Sequence, residues 1–220
     1  MSAPPPRRGG QQIIPRPPVW SAGPDAPWPA GARPLYDDVV SVVPATEEPV
    51  LPAFPEARHA AVLVLLHDAS DGPELLLTRR SWEMRSHRGE ISFPGGRMDP
   101  GETPLDTALR EAHEEVGLDP SSVAVVGELE HLNTVGSRSY IVPKVATIDR
   151  RPELAAMTIE VERVLWVPLH ELTLPGTYRS ERWGTPPTDR LLHFFELDDE
   201  TVWGATAHII VDLLRRTFHV

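Results

Sequence analysis

Cysteine is absent from the 220-residue chain, which excludes disulfides, thiolate metal sites and cysteine nucleophiles. Long apolar runs are missing too: the longest, Ala60 to Leu66, is far too short to span a bilayer, so no membrane partner is expected. The first residues carry Arg7 and Arg8 with no apolar segment behind them. No signal peptide is therefore expected, and the expected location is cytoplasmic. Positive charge is in deficit, and a formal net charge of −11 argues against nucleic acid as a partner. No internal repeat is visible. The length suits one domain with extensions and a sizeable core.

Proline is plentiful but unevenly placed: 14 of the 25 lie before residue 56. Such a segment supplies few ladder donors and should be mostly extended or irregular. Yet it also holds Trp20, Trp28, Leu35, Tyr36, Val39 and Val40, too apolar a set for a solvated tail. The expectation is an extension over residues 1–57 that packs partly on the domain or on a second subunit, as in a homodimer. A folded domain follows over 58–220.

From His59 the pattern turns strand-like. Ala60 to Leu66 reads as a buried strand, Asp68 to Pro73 as a turn, and Glu74 to Arg79 as the return strand of a hairpin. Ile91 to Phe93 is a short strand leading into Pro94-Gly95-Gly96. Val123 to Thr134 and Ser139 to Ile148 alternate like two further strands, and Glu160 to Pro168 like another. A helical turn is expected at Leu169 to Leu172, a hairpin from Thr177 to Trp183 and Arg190 to Leu197, and a last helix from Trp203 to Phe218. Strands interleaved with two main helices predict an α/β (α+β) fold with a mixed sheet packed between helices.

One stretch stands out, Gly96 to Leu118. Leu105, Ala108, Leu109, Ala112 and Val116 recur at helical spacing, Thr103 with Asp106 resembles a capping box, and Gly117 supplies a stop. The predicted helix runs from about Thr103 to Val116. On it, Glu111, Glu114 and Glu115 fall within an arc of about 100°. Like charges on one face repel, and a hard cation with oxygen ligands would relieve them. A solvated acidic face is the alternative.

Gly96, Glu102, Arg110-Glu111, Glu114-Glu115 and Gly117 match every fixed position of G-x5-E-x7-R-E-x-x-E-E-x-G followed by an aliphatic. The chain thereby resembles the Nudix family. One departure is Ala112, where a bulkier aliphatic is usual. The resemblance implies an α/β/α sandwich and a hydrolase that cleaves the pyrophosphate of a nucleoside diphosphate linked to another group. It implies Mg²⁺ or Mn²⁺ held by Glu111 and Glu115, with Glu114 as a further ligand or the base and the Gly96 carbonyl joining them. Arg110 and Glu102 would pair with each other or with a box glutamate, fixing the catalytic carboxylates.

The approach to this box is rich in arginine: Arg79, Arg80, Arg85 and Arg88 with His87 fall within ten residues. Beside a metal loop, such a cluster suits a polyanionic substrate, a solvated loop being the alternative. Leu76 to Ser81, Arg85 to Gly89 and Ser92 to Gly96 resemble the signature of the coenzyme A diphosphatase branch. So does Trp203-Gly204-Ala205-Thr206-Ala207. That branch implies coenzyme A or acyl-CoA as substrate, cleaved to 3′,5′-ADP and (acyl-)4′-phosphopantetheine. Glu160 is a candidate extra base or ligand outside the box, an exposed strand-start glutamate being the alternative. Tyr140, Trp183 and Phe194 are candidates for adenine stacking or for ordinary packing. The runner-up readings are a Nudix hydrolase of ADP-ribose, dinucleotides or nucleoside triphosphates, and a non-catalytic nucleotide sensor.

Overall fold

The computed structural model describes residues 9–84 and 86–220. The expectations placed on Arg7, Arg8 and Arg85 lie outside the described residues. In chain order the elements are β1 (Gly9–Gly10), β2 (Trp20–Ala22), α1 (Tyr36–Ser41), β3 (Arg58–Ala69), β4 (Gly72–Arg80), β5 (Ile91–Ser92) and β6 (Gly95–Arg97). They continue as α2 (Pro104–Val116), β7 (Ala124–Glu128), β8 (Leu132–Asn133), β9 (Ser139–Ile148), β10 (Val161–Pro168) and α3 (Leu169–Leu172). The chain ends with β11 (Tyr178–Trp183), β12 (Arg190–Trp203) and α4 (Gly204–Phe218).

The run around Ala60 to Leu66 is apolar on both faces because it serves two cores. Ala61, Leu63 and Leu65 of β3 pack with Ala108, Ala112 and Val116 of α2. Val64 and Leu66 belong to the other cluster, with Ile210, Leu213 and Leu214 of α4. A strand lets successive side chains alternate, so helices must cover both faces. The α/β/α sandwich follows.

In the main sheet the order is β10-β4-β3-β9-β7, with β5 on β4, β6 on β3 and β8 on β9. β3 runs parallel to β9 from Arg58↔Ser139 to His67↔Ile148, and antiparallel to β4 near the hairpin tip, where Leu66 faces Leu75. A second sheet, β1-β12-β11-β2, stands on the α4 side through buried Phe195, Leu197 and Val202.

Two expectations need correcting, and a third feature was not foreseen. The strand expected over 123–134 breaks into β7 and β8. The register shifts between Val125 and Gly127, where a Cβ on Gly127 would lie 2.7 Å from the Pro44 carbonyl carbon. The following Glu128 is drawn inward by Lys144 at 2.8 Å and the Glu47 N–H at 2.8 Å. β12 continues six residues past Leu197, because β1 pairs along Asp198 and Asp199. The extension contains a helix, α1, whose Val39 is fully buried.

Part of residues 9–57 packs on the domain. Trp28, only 4% exposed, sits edge-on to Tyr178 at 5.0 Å and stacked on Phe195 at 6.1 Å. Backbone bonds tie the segment down at Gly31 N–H to Thr173 O, 2.7 Å, and at Glu128 N–H to Pro44 O, 3.0 Å. Among the described residues no helix is long and apolar enough to cross a membrane.

Candidate active site

β6 carries the turn on which the site is built. Gly95 pairs with Val62 and Gly96 with Ala61, which lays the two glycines against β3 directly under α2. The helix begins as expected: Thr103 caps it, and Thr103 and Asp106 exchange bonds at 2.9 and 3.2 Å. It stops at Gly117 in a left-handed conformation. Since residues four apart share a face, Glu111 and Glu115 both reach the glycine turn. Glu115 accepts from the Gly95 N–H at 3.2 Å. The Glu111 carboxylate lies over Gly96, where a Cβ would come within 2.5 Å of its Cδ.

Glu115 is 8% exposed. Burial, with the negative charges of Glu111 and Glu160 adding to it, pushes its carboxyl up to about 7, against the opposing pull of the Gly95 N–H and Arg80. Glu114 is exposed. Like-charge repulsion on this face is answered in part by Arg110, which the structure makes the centre of the cluster. Its Nε and Nη2 grip Glu102 at 2.6 and 3.1 Å, while Nη1 reaches Glu111 at 2.9 Å and Glu114 at 3.3 Å. Nη2 also donates to the Arg97 carbonyl at 3.2 Å. Glu102 is held down to about 2, first by Arg110, then by the Asp99 N–H and the Thr107 hydroxyl.

Among the described residues no three Asp, Glu or His groups are gathered as a ready metal cage. Glu111 and Glu114 turn toward Arg110, and Glu115 toward Gly95. The donor set is nonetheless all oxygen. A buried carboxyl raised by two neighbouring carboxylates is an arrangement that a hard divalent cation fits.

The arginine cluster does not converge as its spacing implies. Leu75 and Leu77 of β4 face the α4 core and Leu76 the α2 core, so the alternation sends Arg79 and Arg80 to opposite faces. Arg79 is held by Glu200 at 2.7 Å and Glu162 at 3.3 Å. Arg80, on the α2 face, meets Glu160 at 3.1 Å and contributes to the field at Glu115. Arg88 is exposed, its Nε on the Met84 carbonyl at 2.5 Å, and His87 bonds Glu90 through Nδ1 at 2.8 Å. Glu160 does stand beside the box, fixed where its carbonyl accepts from the Ser81 N–H at 2.7 Å.

The structure adds residues that sequence reasoning passed over. Glu200, 2% exposed, takes Arg79, Arg163 at 3.3 Å and Gln12 at 2.7 Å. It lies 121 residues from Arg79, and no local pattern marks it. Tyr140 and Phe194 are core residues, Tyr140 bonded to His131 at 2.6 Å and Phe194 stacked on Trp203. Neither offers a free face to adenine. Trp183 leans on both Phe194 and Trp203.

The raised carboxyl has a consequence for stability. The ordinary glutamate value is 4.5, and burial lifts Glu115 to about 7, so the folded state holds the extra proton between those values. Its contribution is complete below pH 4.5 and lost as pH rises through 7. In chelator, wild type is expected to lose up to about 3 kcal/mol relative to Glu115→Gln across this window. Urea unfolding at pH 4.5 and pH 7.5 measures it; parallel profiles for the two proteins would contradict it.

Residues 57–196 match the family model described as NUDIX domain. Over 137 residues the chain is 39% identical to Nudix hydrolase 3 of Caenorhabditis elegans, covering 60% of this chain and 57% of that protein. The chain therefore spans little more than half of that relative. It is 37% identical over 161 residues to the uncharacterized Nudix hydrolase NudL of Photorhabdus laumondii, covering 72% and 84%. A MutT/nudix family protein from Enterococcus faecalis shares the fold, with a TM-score of 0.51 at 19% identity over 76% of this chain and 64% of that one. With the domain match covering most of the chain, and Glu111 and Glu115 of the box both at one glycine turn, the chain belongs to the Nudix hydrolase family.

Proposed function

We propose that this Nudix hydrolase cleaves the pyrophosphate of coenzyme A or acyl-CoA, in the cytoplasm and with Mg²⁺ or Mn²⁺. The products are 3′,5′-ADP and (acyl-)4′-phosphopantetheine. One observation supports the reading: the buried Glu115 shares its field with Glu111, Glu160 and Arg80, so carboxylates and a guanidinium stand together beside one glycine turn, as a metal-bound pyrophosphate would need.

Glu111, Glu115, Glu114 and the Gly96 carbonyl would hold the cation. When bound, it supplies charge neutralisation for the pyrophosphate and acidifies the attacking water. Water adds its oxygen to one phosphorus, and the bridging oxygen leaves with the other phosphate. One carboxylate of the cluster takes the water's proton, Glu114 being the exposed one and Glu160 the one outside the box. Arg110 and Glu102 are positioning residues, since the fork between them aims Glu111 and Glu114. Arg80 is the arginine best placed toward phosphate. Arg79 serves as an anchor bound to Glu200.

A panel of CoA, acetyl-CoA, ADP-ribose and a dinucleoside polyphosphate, compared by kcat/KM, tests the substrate. CoA or acetyl-CoA is expected to lead. ADP-ribose ahead of both by tenfold would replace this reading with the broader nucleotide hydrolase.

A further inference from the structure

We infer that the groove between the Pro-rich extension and the turn joining β8 to β9 is a second anion site, one that takes the adenosine and 3′-phosphate of the substrate. This rests on the coenzyme A reading above. The groove encloses about 640 Å³ and is lined by Phe54, Glu56, Arg58, His87, Ser137 and Arg138. Of these, only His87 belongs to the arginine-rich approach.

The backbone holds the two arginines together. The Arg58 N–H donates to the Arg138 carbonyl at 2.9 Å, just where β3 and β9 begin their parallel ladder at Arg58↔Ser139. Arg138 stands at φ 50°, a left-handed conformation costly for a side chain-bearing residue, so the turn fixes its direction. Both arginines are exposed. Among the described residues neither has a carboxylate at ion-pair distance, whereas Arg79, Arg80 and Arg110 are all ion-paired. The Arg138 guanidinium carbon lies over the Phe54 ring, 5.5 Å from its centre. A purine can rest on either of these flat groups. His87 adds an imidazole whose pKa is raised above its ordinary value by the hydrogen bond to Glu90. Glu56 is the one carboxylate in the lining, so positive charge prevails.

The distance suits one substrate lying across both sites. Gly96 pairs with Ala61, and Arg58 lies three residues back along the same strand, roughly 10 Å away at the rise of an extended chain, where alternation turns it to the other face. Arg58 and Ser139 begin their strands, so a nucleotide whose pyrophosphate rests at the Gly95-Gly96 turn can pass round this end of the sheet with its ribose and 3′-phosphate toward Arg58 and Arg138. The extension then has a chemical role, because it contributes Phe54 and Glu56 to the groove.

Titration calorimetry with 3′,5′-ADP and 5′-AMP tests the site independently of turnover. Wild type is expected to bind 3′,5′-ADP at least about tenfold more tightly, the effect of one or two charge-assisted hydrogen bonds. Arg58→Ala and Arg138→Ala should each remove most of that preference, and Phe54→Ala should weaken both nucleotides together. In parallel, the ratio of kcat/KM for CoA over dephospho-CoA should fall at least about tenfold in the arginine variants. Equal affinity of wild type for the two nucleotides, no binding of either, or arginine variants that weaken both alike would overturn the inference. If neither CoA nor dephospho-CoA is hydrolysed while ADP-ribose is, the substrate reading fails by itself, and calorimetry still decides the groove.

Discussion

Glu115→Gln is expected to lower kcat about 10³-fold, the scale at which removal of one preorganised charge on a reacting phosphoryl group is felt. The same change should raise stability in chelator near neutral pH. In the folded protein this carboxyl is buried beside Glu111 and Glu160 and pushed up to about 7, so ionising it costs free energy that a neutral amide does not. A residue that lowers stability to serve activity is the usual compromise at a site. Glu114→Gln should also cut turnover while leaving stability almost unchanged, since Glu114 is exposed and its longest-reaching contact is Arg110 at 3.3 Å. Steady-state kinetics with thermal melts measures both. Wild-type turnover in both variants would show that the carboxylates are assigned to the wrong task.

The two glycines of the turn should fail in different ways. The atoms nearest to a Cβ on Gly96 are the carboxylate end of Glu111, a flexible group that can move aside. Gly96→Ala is therefore expected to fold normally and lose about 10²-fold in kcat/KM, because displacement by about 1 Å of the carboxylate proposed to hold the cation is enough for that. A Cβ on Gly95 meets backbone instead. It would press on the Ala61 carbonyl oxygen and stand 2.6 Å from the Val62 Cα, at a φ of 155° that side chains rarely adopt. Gly95→Ala should cost about 3 kcal/mol of stability. Denaturant curves beside kinetics separate the two. Equal destabilisation by both would mean that Glu111 does not rest on Gly96.

Local signals in the sequence were legible wherever the chemistry is local. The helix over Pro104–Val116, its capping box and its glycine stop depend on residues three or four apart, and they appear as the spacing requires. The apolar strand at β3 and the hairpin to β4 were equally plain. What could not be read is long-range. The arginine run looks like one cluster along the chain, but a strand's alternation divides Arg79 from Arg80, and Glu200, 121 residues away, claims Arg79. The register shift between Val125 and Gly127 lies where the Pro44 carbonyl crosses Gly127, a contact between distant segments. Composition showed that the Pro-rich extension was too apolar to be a tail. That Trp28 fills a slot between Tyr178 and Phe195 required the folded sheet.

The acidic face was legible as residue types and only partly as a charge balance. The resemblance implied that Arg110 and Glu102 pair with each other or with a box glutamate, and Arg110 does both, bonding Glu102 and also Glu111 and Glu114. The residue left with the strongest demand for a cation is Glu115, the buried one. Helical spacing alone does not distinguish it from its neighbours.

The most direct measurement is incubation of the protein with coenzyme A and Mg²⁺ in ¹⁸O-labelled water, followed by mass spectrometry of the products. The account predicts 3′,5′-ADP and 4′-phosphopantetheine in equal amounts, one ¹⁸O in one of the two, and no products when chelator replaces Mg²⁺. Intact coenzyme A after prolonged incubation, from a protein that hydrolyses another pyrophosphate under the same conditions, would contradict it.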